Sequence, residues 1–349
     1  MKLDVIAATF AGYIAAFGLT ERPQTPGERD YIIEHHRLPG GSPGVILDAE
    51  LTVPYGEARV PGVILITGSG PQNKDEEMAG HKPFLVLSDH LTKHGFAVLR
   101  YDDRGVGKST GDFSSVTPME LAADAAAAMR FLKTHPRIAG GKTGYIGHSE
   151  GGYLAPIAHK QNAADFQILL AAPALRLLPD VMATQVADVA RAQGVSESEI
   201  DRQLRAVDEV VSLLRSPDTP QDMRKILAAI FKRAGANRSQ IKENVDLWSS
   251  PWAIAYAKHD PRPYLETLKV PVLAVFGEHD LQVSPRQNAP VMEGLLRHPQ
   301  SRTLVLAGLN HLLQPTETGK VSEYVRIPTT IDPIALRTME KWMSAVTAD

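Results

Sequence analysis

The 349-residue chain contains no cysteine. That excludes disulfides, thiolate metal sites and a cysteine nucleophile, although it does not fix the compartment. Excess charge of one sign is also missing, because 37 Lys and Arg against 40 Asp and Glu leave a net charge of −3. With no basic block, nucleic acid and acidic lipid are not expected as partners. No apolar run spans a bilayer comfortably; the best candidate, Val5–Leu19, is too short. As a signal peptide it has a poor charged end, where Asp4 offsets Lys2. Its large residues Leu3, Ile6, Phe10, Tyr13, Ile14 and Phe17 recur every three to four positions. That spacing favours an amphipathic helix docked on the protein or on a second subunit, which leaves a homo-oligomer open. Localisation stays open, with the cytoplasm slightly ahead of the periplasm or secretion.

What is present is ordinary for a soluble globular protein, with 43% hydrophobic and 22% charged residues. The length suits a core carrying an inserted subdomain. Two strand-like runs, Tyr31–Leu38 and Val45–Val53, are split by the turn Pro39–Gly44. From Gly62 short apolar strands alternate with helical stretches: strands Gly62–Thr67, Phe96–Tyr101, Thr143–Ile146 and Phe166–Ala172, and helices Lys82–His94, Pro118–Thr134 and Glu150–Lys160. Continuous apolar strands alternating with helices predict an α/β fold, a mostly parallel sheet wound with helices on both faces. The rhythm breaks between about Pro173 and Lys269, where the patterns Val181–Gln193, Glu197–Leu214 and Asp222–Ala234 are helical. It resumes with strands Val270–Phe276 and Thr303–Leu306 and a closing helix, Pro333–Val346. The expected division is an apolar N-terminal segment (1–28), a first core part (29–172), a helical cap (173–269) and a second core part (270–349).

Gly147–His148–Ser149–Glu150–Gly151 fits G-x-S-x-G between a strand and a helix. That setting is what the nucleophile elbow requires. Glycines flank the serine because side chains two positions to either side would collide in so sharp a turn. The turn lifts the Ser149 hydroxyl to the positive end of the following helix, where the Glu150 N–H faces a developing oxyanion. A serine hydroxyl needs a base, and the base an orienting carboxylate, in the chain order serine, acid, histidine. Asp280 and His311 follow the strands Val270–Phe276 and Thr303–Leu306, at the strand ends where such sheets build sites. Glu278 and His279 compete for these roles, but only His311 lies in the loop after the last strand. His148 reads as shaping the pocket wall.

A second oxyanion donor is expected in the loop Gly68–Ser69–Gly70–Pro71–Gln72, from the N–H of Ser69 or Gly70, with the Gln72 side chain a weaker choice. Pro71 has no N–H to offer. In the helical stretch, Trp248, Trp252 and Tyr256 recur every four residues and would form one aromatic face on a helix. Packing of the cap onto the core is the first reading of that stripe, and lining of an acyl pocket the second. Two other motifs carry nothing. Gly107–Lys108–Ser109 ends like a phosphate loop, but Asp102 stands where that motif needs its first glycine. Asn237–Arg238–Ser239 is a sequon without a secretory context. No cofactor is called for and no ligand cluster with metal spacing is apparent.

The elbow GHSEGG, the loop GSGPQNKDE, the segment YDDRGVGKSTG and the late GEHDLQVSP and NHLLQP together resemble the alpha/beta-hydrolase family. More narrowly they resemble its bacterial carboxylesterases with a Gly-Ser-Gly-Pro oxyanion loop and a helical cap. The likeness runs from Val60 to the C-terminus outside the cap. It implies Ser149 as nucleophile, Asp280 as acid and His311 as base, with Asp103 and Arg104 shaping the loop beside the site. The expected activity is hydrolysis of small-molecule carboxylic esters with short to medium acyl chains. An amidase or peptidase with the same triad is the alternative. Dehalogenase or epoxide hydrolase chemistry is disfavoured, because those relatives use aspartate at the position of Ser149. A catalytically silent binder on this fold is the alternative from another class.

Overall fold

The computed structural model describes residues 22–216 and 221–348, so the run Val5–Leu19 and its docked-helix reading lie outside the described residues. Eight strands form one sheet: β1 (Ile32–Pro39), β2 (Ile46–Val53), β3 (Val60–Ile66), β4 (Ala97–Tyr101), β5 (Ile138–His148), β6 (Phe166–Leu170), β7 (Val272–Gly277) and β8 (Arg302–Leu306). Their spatial order is β1-β2-β4-β3-β5-β6-β7-β8. β1 pairs antiparallel with β2, and β2 with β4, while every pairing among β3 to β8 is parallel. Parallel neighbours need crossovers, and helices α1 (Pro83–Lys93), α2 (Pro118–Thr134) and α3 (Glu150–Gln161) supply the first three.

Period-two alternation sends apolar side chains to both faces. On β3, Val63 and Leu65 enter a cluster with Phe84, Leu87 and Leu91 of α1. Ile64 and Ile66 of the same strand enter a second cluster with Ala122, Ala125, Met129 and Leu132 of α2. The central strands are therefore buried on both sides, as their unbroken apolar runs predict. α2 begins with Pro118 behind a reciprocal capping box between Thr117 and Glu120. Such a start satisfies two otherwise orphaned N–H groups and fixes where the helix begins.

β5 is longer than the strand Thr143–Ile146 expected from sequence. It starts at Ile138 and passes through Gly141, whose φ is +76°, and the β3–β5 register shifts between Val60 and Gly62. Two glycines and a lysine hid that first half, because they carry no apolar pattern. Between β6 and β7 the described residues hold no strand. A kinked segment (Leu177–Val181), extended at Leu178, leads into α4 (Met182–Ala192), α5 (Glu197–Arg215), α6 (Met223–Arg233), α7 (Arg238–Trp248), α8 (Pro251–Lys258) and the short α9 (Arg262–Glu266). α10 (Pro285–Leu295) and α11 (Pro333–Thr347) complete the core. Among the described residues no helix is long and apolar enough to cross a membrane.

Buried ion pairs pin the loops that leave β4. The Arg104 guanidinium donates to Asp124 at 2.7 and 2.9 Å, and Asp124 also accepts the Gly41 N–H at 2.6 Å. Both partners are almost fully buried. Removing one member of such a pair leaves an uncompensated charge. Asp124→Ala should therefore lower stability by about 3–5 kcal/mol, read as a fall in the urea midpoint with the slope unchanged.

Candidate active site

β5 ends at His148 and α3 begins at Glu150, so Ser149 alone makes the turn, at φ 52° and ψ −117°. A non-glycine residue at positive φ is strained and persists only where its surroundings enforce it. Three contacts do so here. A Cβ on Gly147 would lie 2.2 Å from the Gly151 carbonyl oxygen. One on Gly151 would lie 2.0 Å from the Ile66 carbonyl oxygen, and one on Gly152 would lie 2.5 Å from the Ala172 Cβ. The helix thus starts hard against the ends of β3 and β6, with its first free N–H groups beside the serine.

His311 and Asp280 are brought together as the sequence predicts. His311 Nδ1 lies 2.8 Å from Asp280 Oδ2, with both side chains buried. The other carboxylate oxygen accepts the N–H groups of Gln282 and Val283 at 2.8 and 2.9 Å, so Asp280 is held by its own loop. Asn310 fixes the histidine turn, its side-chain oxygen accepting from the Leu312 and Gln314 N–H groups. The rivals are set aside by position, since the Glu278 and His279 side chains are half exposed. Ser149 and His311 line one cavity, without a hydrogen bond between them in this resting geometry. Catalytic contacts of this kind often tighten only when substrate is bound.

The loop after β3 separates the two candidate donors. Ser69 faces the cavity with Ser149, whereas Gly70 lines a different recess beside Asp103 and Leu154. Asp103 holds this loop, accepting the Gln72 N–H at 2.9 Å and the Thr67 hydroxyl at 2.9 Å. Burial pushes its carboxyl well above the usual range despite those bonds. The Gln72 side chain lines the cavity and donates to the Ser69 carbonyl at 3.3 Å.

His148 does more than shape a wall. Its Nδ1 lies 2.9 Å from Glu76 Oε1, and its Nε2 lies 3.0 Å from the His311 carbonyl oxygen. Both neighbours are acceptors, an arrangement that favours a ring protonated at both nitrogens. Burial opposes that charge, but the Glu76 carboxylate and the carbonyl outweigh it and raise the His148 pKa. Glu76 Oε1 also accepts the Gly68 N–H at 2.6 Å. One buried ion pair therefore joins the loop after β3, the elbow and the histidine loop. Glu76 was not singled out in the sequence, where it is one acid among several in NKDEE and only the fold turns it inward.

The Trp248, Trp252 and Tyr256 face needs correction. Pro251 opens a new helix behind the Ser250 cap, so Trp248 ends α7 while Trp252 and Tyr256 lie on α8. None of the three lines the serine cavity. Trp252 Nε1 and the Tyr256 hydroxyl both donate to Glu150 Oε1 at 2.7 Å, clamping the helical insertion onto the elbow. Burial holds the Glu150 carboxyl above its ordinary range, against the pull of those two bonds. The cavity has a volume of about 70 Å³. Its wall includes Leu177, Val181 and Gln185 from the stretch between β6 and β7, and Val321 and Tyr324. That last segment is fastened from outside. His81 bonds the Tyr324 carbonyl and Thr330, Arg22 donates to the Ala79 and Val325 carbonyls, and Gln24 bonds the backbone of Thr330 and Ile331.

This sheet order, with a serine at a strand–helix elbow and a His–Asp pair on later strand-end loops, defines an alpha/beta hydrolase. Residues 82–318 match the family model described as "Serine aminopeptidase, S33", and the chain belongs to that family. Esterase EstD of Thermotoga maritima is 26% identical over 301 residues, which cover 85% of this chain and 65% of that protein. The chain thus spans slightly less than two thirds of that relative. Among solved structures, Est1E of Butyrivibrio proteoclasticus with bound ferulic acid has a TM-score of 0.54 at 17% identity, covering 88% of this chain and 98% of its own. An esterase of Pyrococcus furiosus has a TM-score of 0.55 at 14% identity, covering 95% and 100%. These likenesses are of fold.

Because the His148 pKa is raised in the folded state, the stability it contributes is fully present below its unfolded value of about 6.5. That contribution is lost as pH rises through the raised folded value. The thermal midpoint should accordingly decline above neutral pH, and the double variant Glu76→Gln/His148→Asn should lack that part of the decline.

Proposed function

We propose that the chain is a serine carboxylesterase acting on small esters with short to medium acyl groups. The observation that carries this reading is a serine at a helix N-terminus sharing a small cavity with a histidine that is bonded to a buried aspartate. His311 takes the Ser149 proton as the hydroxyl attacks the ester carbonyl. Asp280 holds the ring and stabilises its charged form. The N–H groups of Glu150 and Ser69 hold the oxyanion. His311 then protonates the leaving alcohol, and water attacks the acyl-enzyme by the same route. The cavity volume and its insertion-derived wall support small acyl groups, with residues 173–269 acting as a cap. No step calls on a metal or cofactor.

The description of the family favours a second reading, an aminopeptidase. Such an enzyme needs an anion for the substrate's amino terminus. Among the described residues Glu76 is the only carboxylate on the cavity wall, and it is already paired with His148. An ester, which brings no charge, suits this wall better.

p-Nitrophenyl esters from acetate to decanoate, with matched anilides, separate the readings. Ester turnover should peak at short chains and vanish in Ser149→Ala, while anilides of similar rate would move the case to the peptidase. Asp280→Asn should cut kcat by about ten-thousandfold through loss of the productive histidine tautomer.

A further inference from the structure

A cluster remote from the cavity has the makings of a metal site. His90 on the last turn of α1 and His94 just beyond it are four residues apart, so they share a helix face. Glu340 of α11 lies opposite, its Oε2 3.5 Å from His90 Nε2 and 3.8 Å from His94 Nε2. Each residue offers one ligand atom, and the three atoms lie within 4.8 Å of one another. No other such grouping occurs among the described residues.

Three features distinguish this cluster from a chance surface contact. His94 Nδ1 lies 2.6 Å from the His90 carbonyl oxygen. A carbonyl only accepts, so the proton sits on Nδ1 and the Nε2 lone pair is free to ligate; metal-binding imidazoles are commonly fixed this way. His90 Nε2 is buried, and its 3.5 Å contact with Glu340 Oε2 falls short of a hydrogen bond. Such a nitrogen is costly to leave unmet. The spacing also fits. Ligands 2.0–2.1 Å from a tetrahedral zinc lie about 3.3 Å apart, close to two of the separations seen.

We propose that His90, His94 and Glu340 bind one divalent transition-metal ion of the zinc type, with water completing the coordination. Two imidazoles and a carboxylate suit such an ion better than calcium or magnesium, which prefer all-oxygen sets. The ion ties the end of α1 to α11, two helices that pack on the same face of the sheet. None of the three residues lines the Ser149 cavity, so the role is structural. The cluster is not legible locally, because His-x-x-x-His alone is a common helix-surface pattern and the third residue stands 246 positions later.

The test uses tag-free, chelator-dialysed full-length protein, with Zn²⁺ titrated against a chromophoric chelator. One equivalent should bind at low-micromolar affinity or tighter. His94→Ala and Glu340→Gln should each weaken it about tenfold or more, with ester turnover unchanged. Zn²⁺ should raise the thermal midpoint by several degrees in wild type and not in the variants. No binding up to millimolar Zn²⁺, or equal affinity in wild type and both variants, would overturn the proposal.

Discussion

The close approach of α3 to the ends of β3 and β6 is the contact on which the rest of the site depends. Glycine at 147, 151 and 152 lets backbone meet backbone at distances no side chain would allow. Ser149 is then forced into a conformation it would not choose, and its hydroxyl is fixed relative to the sheet. Nothing nearby is free to relax. Gly68 is packed so that even a Cβ would touch Glu76 at 3.1 Å and the Ser149 Cβ at 3.5 Å. The geometry of the elbow therefore sets the position of the loop that faces it.

Electrostatics finishes what packing begins. Two charged links tie the flexible parts to the rigid ones: Glu76 with His148 at the centre, and Arg104 with Asp124 behind the loop after β4. Buried pairs of this kind add little net stability but are costly to break, so they act as constraints on geometry. Preorganised dipoles are what acyl transfer requires, since reorganisation during the reaction would add to the barrier. His148, bonded to the carbonyl of His311, positions a residue whose own ring is held by Asp280.

Sequence and structure agree where local signals are strong. The elbow placement of Ser149 and the strand-end placement of Asp280 and His311 were legible because a motif, a chain order and strand ends all pointed to the same places. The central strands were legible because burial on both faces leaves an unbroken apolar run. What stayed hidden depends on distant partners. Glu76 gains its role only when β3 and β5 lie side by side. The first half of β5 is polar and glycine-rich, and was missed. Trp248, Trp252 and Tyr256 showed a true helical period across a boundary that Pro251 and the Ser250 cap in fact impose. Their destination, the Glu150 carboxylate, is a tertiary fact with no local trace.

The fastening of the segment that carries Tyr324 has a consequence for how this chain tolerates trimming. Arg22 and Gln24 precede the first strand, yet between them they bond the backbone of Ala79, Val325, Thr330 and Ile331. Val321 and Tyr324, just upstream, form part of the cavity wall. A cut between Gln24 and β1 would strip donors and an acceptor from that strap. The cavity wall at Val321 and Tyr324 thus rests on a segment held by residues that a domain-boundary prediction would discard. A variant lacking Arg22 and Gln24 would keep the sheet and Ser149 while losing the bonds that hold this edge of the cavity in place.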